Sequence, residues 1–272
     1  MLYLSKFFLF ACFVQLSSTA PQPSTDLAAA CGFWTATKFA FKCRALAYDA
    51  LFIEKTDRTY EDFKSLNEIC KDAQGCMDSF ECEEIKKMKN GFDNQCEIIG
   101  YAYPDNELCL KQFFRTVYMS QFSNEESCFK EYSFLDSDKA KRSQAFADGK
   151  LCFIKYAREH CTSTTLEYFN TDKYNQLAKS MSVDNTFDME CNMPSTIVQS
   201  IHCTAMNKEF EYRVKQLERP EFASNNDFVV QTRKICRDTQ SCFKRNCLLL
   251  KDSAYYRQLV NNCDILENSY PK

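Results

Sequence analysis

Ile69-Cys70-Lys71-Asp72-Ala73-Gln74-Gly75-Cys76 returns further along the chain as Ile235-Cys236-Arg237-Asp238-Thr239-Gln240-Ser241-Cys242. Five of the eight positions are identical, and Lys71 is matched by the like-charged Arg237. The match extends outward through the flanking cysteines. The first set reads Cys31-x11-Cys43-x26-Cys70-x5-Cys76-x5-Cys82-x13-Cys96, and the second Cys191-x11-Cys203-x32-Cys236-x5-Cys242-x4-Cys247-x15-Cys263. Six cysteines recurring in one order with nearly constant gaps read as two related disulfide frameworks.

The remaining cysteines fit an oxidised protein. Lys6, the apolar run Phe7 to Leu16 and the small residues Ser17, Ser18, Thr19 and Ala20 read as a secretory signal. Pro21 disfavours a cut directly before it, so cleavage is expected within 17–24, with 1–20 as the working signal segment. The apolar run is too short for a membrane-spanning helix. Cys12 leaves with the signal, so sixteen of the seventeen cysteines remain, an even number. Zinc requires tighter knuckles, but there is no C-x2-C, and only His160 and His202 offer imidazole. Disulfides and a secreted, extracellular location are therefore expected, with no span in the mature chain, no metal and no cofactor. Net charge is −3, with basic residues mixed among acidic ones, which argues against a nucleic-acid partner.

The backbone class follows from composition and period. Gly numbers 5 and Pro 6 in 272 residues, too few for the turns of a β-rich protein. After Cys31 the apolar residues keep helical time. One stripe runs Trp34, Phe41, Ala45, Tyr48, Phe52, and its neighbour runs Phe39, Cys43, Leu46, Ala50, Ile53; together they read as one broad core-facing surface. Cys203, Met206, Phe210, Val214 and Leu217 echo it, on a helix starting at Pro194-Ser195 and ending near Arg219 before Pro220. Between the frameworks, Glu107 to Phe122 reads as a helix, Ser123-Asn124-Glu125-Glu126 as a capping box, and Gly149 as a C-cap before a helix from Lys150 to Cys161. Ser163 or Thr164 caps a further helix to Met181. The expected fold is all-α, a disulfide-stapled helical bundle of two related modules, 31–185 and a shorter, partial 191–272.

Pairing is underdetermined by sequence. Two antiparallel segments would join Cys31 to Cys96 and Cys43 to Cys82, leaving Cys70 and Cys76 to close a turn on themselves. The second set would repeat this as Cys191–Cys263, Cys203–Cys247 and Cys236–Cys242, while Cys109, Cys128, Cys152 and Cys161 pair among themselves.

The C-x5-C-x5-C run at Cys70, Cys76 and Cys82, and the later Gly149-Lys150-Leu151-Cys152-Phe153-x7-Cys161, resemble a nematode secreted cysteine-rich family, domain of unknown function 19. The resemblance covers most of Cys31 to Cys191, and the second set more weakly. It implies a secreted, stapled helical fold and no chemistry, since the family has no established activity. Two departures stand out. Only ten cysteines of the expected mature chain precede Cys191, and the second set ends without a counterpart to Cys109 through Cys161.

No catalytic constellation assembles. There is no G-x-S-x-G elbow, no glycine loop for phosphate and no alternating Asp/Asn calcium loop. His160 and His202 each precede a cysteine, but adjacent helical residues diverge by about 100°. Glu83-Glu84, Glu125-Glu126 and Asp136 with Asp138 resemble ordinary solvated helix-end carboxylates. The repeated Asp72-x-Gln74 and Asp238-x-Gln240 read as turn-forming polar residues between cysteines. The chain is thus expected to be non-enzymatic. Its 24 Phe and 14 Tyr fill the core, with some free to meet a partner, Tyr101 to Pro104 among them as an exposed loop. The expected partner is an extracellular protein; the alternative is a hydrophobic small molecule or lipid carried between the helices.

Overall fold

The computed structural model describes residues 25–44, 46–47, 60–183, 191, 193–251 and 253–270. The signal segment and its cleavage window, and Ala45, Tyr48, Ala50, Phe52 and Ile53 of the apolar stripes, lie outside them. Among the described residues every element is helical and no strand occurs. The chain divides into two compact units at Cys96/Glu97, inside a helix rather than in the 185–191 gap between the two cysteine sets.

The first unit holds α1 (Thr25–Cys31), α2 (Phe33–Lys42), α3 (Tyr60–Asp78) and the start of α4 (Glu83–Ala102). Gly32 separates α1 from α2 with a φ of 79°, a left-handed conformation that strains any residue with a Cβ. Cys31 and Cys43 therefore do not share one uninterrupted helix. α2 buries Ala36, Phe39 and Ala40, and Phe39 meets Phe80 edge to face at 5.7 Å. Ala73 and Met77 of α3 and Ile85, Phe92 and Cys96 of α4 complete this core.

Here the disulfides depart from the expected pairs. Cys31 joins Cys82, Cys43 joins Cys76 and Cys70 joins Cys96. In the second framework Cys191 joins Cys247, Cys203 joins Cys242 and Cys236 joins Cys263. Both sets follow one order: first to fifth, second to fourth, third to sixth. The Cys70–Cys76 and Cys236–Cys242 closures fail because each pair lies in one continuous helix. Six residues of helix climb about 9 Å and turn the two side chains about 120° apart, whereas a disulfide needs Cα atoms roughly 4.4–6.8 Å apart. The two cysteines therefore reach two different neighbours. Cys31–Cys96, Cys43–Cys82, Cys191–Cys263 and Cys203–Cys247 fail in consequence. They presume two antiparallel segments, and a third helix instead takes one partner from each.

The second unit is built from α5 (Pro104–Ser120), α6 (Cys128–Glu131), α7 (Lys139–Asp148), α8 (Lys150–His160), α9 (Ser163–Tyr168), α10 (Tyr174–Met181), α11 (Pro194–Gln216), α12 (Pro220–Ala223), α13 (Asn226–Lys244), α14 (Cys247–Lys251) and α15 (Ser253–Ser269). Cys109–Cys161 and Cys128–Cys152 staple its first half, so those four cysteines pair within their own group. Between these staples Phe113 of α5 is wholly buried. Its ring meets those of Phe153 at 4.8 Å, Phe134 at 5.3 Å, Tyr156 at 5.6 Å and Phe129 at 6.0 Å. Edge-to-face packing of this kind adds to the area buried.

The expected helix boundaries survive with adjustments. Gly149 does cap α7, with Phe134 and the Ala145 carbonyl so close that an added Cβ would come within 2.3 and 2.6 Å of them. Ser123 accepts from the Glu125 N–H in a local turn, and α6 starts only at Cys128, so no capping box forms there. Thr162, rather than Ser163 or Thr164, caps α9 by accepting from the Thr165 N–H. A π turn at Phe169–Lys173, where Thr171 leaves helical geometry, divides the expected single helix to Met181.

α11 organises the second half. It packs on α5 and α10 on one side and on α13, α14 and α15 on the other, so its buried residues occur all round. Glu209 is only 4% exposed and accepts from Arg213 Nε at 2.9 Å and Arg115 Nε at 2.7 Å. The Arg213 guanidinium in turn lies 4.7 Å from the Phe228 ring centre. Asn246, also buried, donates to the Thr196 carbonyl at 3.0 Å and accepts from the Leu248 N–H at 3.1 Å, tying the α13–α14 junction to α11.

Two outcomes follow. Trypsin cleavage after Lys71 separates Cys70 from the peptide that carries both Cys76 and Cys82, so non-reducing peptide mapping is expected to find the Cys70 peptide joined to that of Cys96; a Cys70–Cys76 bridge would refute the connectivity. Glu209→Ala, which strands the buried Arg213 charge, is expected to lower unfolding free energy in urea by about 3–5 kcal/mol.

Candidate functional site

The residues nominated by sequence do not gather into a catalytic centre. His160 ends α8 on the surface, its ring 4.6 Å from Tyr156, and the neighbouring Cys161 is bonded to Cys109. His202, on α11, faces inward. Its ring lies 5.4 Å from that of Phe114, its Nδ1 is 3.9 Å from Cys242 Sγ, and its buried Nε2 has no hydrogen-bond partner. Burial, aided by the positive charges of Arg142 and Arg245, lowers its pKa to about 4. The imidazole is therefore neutral at ordinary pH.

One nitrogen and two sulfurs from His202, Cys203 and Cys242 fall within 4.8 Å of one another, a spacing compatible with a metal. The two sulfurs are bonded to each other, however, so no thiolate is present to bind a metal or attack a substrate.

Three of the nominated carboxylates, Glu84, Asp136 and Asp138, make structural contacts. Glu84 accepts from Lys87 at 2.8 Å in the first turn of α4. Asp136 accepts from the Asp138 N–H, and Asp138 caps α7 by accepting from the Ala140 and Lys141 N–H groups, which lowers its pKa. Asp72-x-Gln74 and Asp238-x-Gln240 are not in turns: both lie mid-helix. Asp238 instead accepts from Tyr118 Oη at 2.7 Å and from Lys234 at 2.6 Å, which joins α13 to α5. Tyr101 to Pro104 is no exposed loop. Tyr101 is in α4, wholly buried, and donates to Glu97 at 2.6 Å, while Tyr103 is buried at the start of α5. Burial and the Glu97 charge together raise the Tyr101 pKa.

The unusual surface is on α2. Of the two apolar stripes read as one core face, Phe39 and Cys43 of one are buried, whereas Trp34 and Phe41 of the other are exposed. Phe33 is 59% exposed, Trp34 81% and Phe41 62%. Phe33 and Trp34 meet at 5.5 Å with ring planes 76° apart. The outward side of an amphipathic helix is ordinarily polar, so three large aromatic side chains there are out of pattern. They occupy roughly 100° of the helix circumference, and Lys38 and Lys42 follow along one margin. Lys38 extends over the Phe80 ring at 5.8 Å. α2 contains no acidic residue. Periodicity alone missed this surface because both stripes are apolar; the signal available was the pair of lysines interleaved with the outer one.

A family model described as "Domain of unknown function (DUF19)" matches residues 31–192. No curated protein and no solved structure matches the chain.

The inward-facing His202 has a measurable consequence. Its folded pKa, about 4, lies below the 6.5 of the free side chain, so unfolding takes up a proton between those values. Its contribution to stability is complete above pH 6.5 and is lost as pH falls to about 4, by up to about 3 kcal/mol. Urea titrations of wild type and His202→Gln across this window should diverge at the acidic end, with the variant showing the flatter profile.

Proposed function

The chain belongs to the DUF19 family, a domain of unknown function, and from that premise we propose that it is a secreted, non-catalytic binding protein that meets an extracellular partner at its surface. The observation that carries this reading is the outward aromatic face of α2. Exposed apolar surface of this concentration is a usual mark of an interaction site. The disulfide density suits an oxidising compartment, and no helix among the described residues is long and apolar enough to cross a membrane.

Two further observations support a surface role. The two histidines are, respectively, a surface residue beside a staple and a neutral, inward-facing ring against one. A carried hydrophobic molecule would need an apolar cavity of at least roughly 300 Å3. The aromatic residues suited to lining one are instead packed ring to ring around Phe113.

Replacing Phe33, Trp34 and Phe41 together by Ser is expected to weaken capture of the partner from extracellular fluid by at least roughly tenfold, given the apolar area removed. The disulfide map and helix content should be unchanged, because all three side chains point to solvent. Undiminished capture by the triple variant, or turnover of an ester or peptide abolished by substituting His160 or His202, would reject the reading.

A further inference from the structure

We propose that the outward face of α2 docks on an anionic lipid surface, with Phe33, Trp34 and Phe41 at the boundary of headgroups and acyl chains and Lys38 and Lys42 on the lipid anions. This inference rests on α2 being the binding face, and it names what that face binds.

The chemistry of the face comes first. A helix that lies in a membrane interface combines bulky apolar residues with lysines whose stems cross the boundary and whose heads remain among the headgroups. α2 has this arrangement: an aromatic sector centred on Phe41 and Trp34, with two lysines on its margin and no carboxylate. On the adjoining α1, Ala29 and Ala30 are also exposed, just before Gly32. Trp sits favourably where one side is apolar and the other wet, and Phe adds apolar area to the inserted side.

The second argument is rigidity. Cys31 immediately precedes the Gly32 junction and Cys43 immediately follows α2, and each is bonded to a residue outside the helix, Cys82 and Cys76. The helix is held at both ends with its aromatic face outward, so little order has to be gained on docking.

The third argument separates lipid from a covering protein helix. The two frameworks share the x11 gap between their first two cysteines, so Cys43 on α2 is in register with Cys203 on α11. Phe41 then corresponds to Ile201, Lys38 to Val198 and Lys42 to His202. Val198 and Ile201 are buried, and His202, neutral, lies against Phe114 of α5. In the second framework this side of the helix is therefore closed by protein, and it carries no charge. A helix closing α2 in the same way would have to bury two ammonium groups, which is strongly unfavourable. A layer of anionic headgroups covers the aromatic residues while leaving both charges paired and wet.

The test uses the full secreted chain with its disulfides intact and phosphatidylcholine vesicles with or without phosphatidylserine. Trp34 is the only tryptophan in the sequence, so its emission reports the contact directly. Vesicles containing phosphatidylserine should shift the emission to shorter wavelength and sediment the protein, while phosphatidylcholine alone should do so weakly. Raising salt from about 0.1 to 1 M shortens the screening length from about 10 to 3 Å and should release it. Lys38→Gln and Lys42→Gln should each weaken binding roughly fivefold, and Trp34→Ser by sedimentation more than either. Leu151→Ser, which alters a side chain 82% exposed on α8, should leave binding unchanged. Unaltered Trp34 emission with phosphatidylserine vesicles would overturn the lipid inference. If the α2 triple variant then still lost capture of an extracellular protein, the face would stand as a protein-binding surface. If it lost nothing, both readings would fall.

Discussion

Three disulfides that tie one helix to a segment before it and a segment after it, and those two segments to each other, are the constraint on which each framework depends. In the first, α3 is bonded to the end of α2 by Cys43–Cys76 and to α4 by Cys70–Cys96, and Cys31–Cys82 closes the triangle. The second repeats the triangle through α11, α13 and the α14–α15 pair. The spans are also alike, with separations of 51, 33 and 26 residues in one set and 56, 39 and 27 in the other. Each bond adds about 2–4 kcal/mol, mainly by restricting the unfolded chain, so a short bundle with a limited core can hold its shape.

That surplus of restraint leaves room for unfavourable surface and interior features. α2 keeps three large aromatic side chains in water, and α11 keeps a charged Glu209 and Arg213 among apolar neighbours. His202 is held uncharged with an unpaired Nε2. Each is a local cost. In the second unit the cost is met by packing around α11 and the Phe113 cluster. In the first it persists on α2, where an interaction would relieve it.

The helical class was legible because it rests on local properties: scarce Gly and Pro, a 3.6-residue apolar period, and boundary residues such as Gly149 at a helix end and Pro194 at a helix start. Pairing was not, because it depends on where a third helix lies. Cys70 and Cys76 look like neighbours in sequence, yet sit on different sides of one helix. The same limit applies to α2. Trp34 and Phe39 are both apolar at helical spacing, and only tertiary contact decides that Phe39 enters the core while Trp34 does not. Asp238 shows the converse: its repetition beside Cys236 is visible in sequence, but its partner Tyr118 is 120 residues away.

The interleaving of the three staples has a topological consequence. Cys31–Cys82 encloses Cys43–Cys76, and Cys70–Cys96 starts inside both and ends outside both. A single cut of the backbone anywhere between Cys31 and Cys96 therefore leaves at least one bond bridging the two pieces, and a cut between Cys70 and Cys76 leaves three. The same holds from Cys191 to Cys263. Within either span a protease can nick the chain without releasing a fragment, and the nicked molecule stays one covalent body until a reductant reaches it.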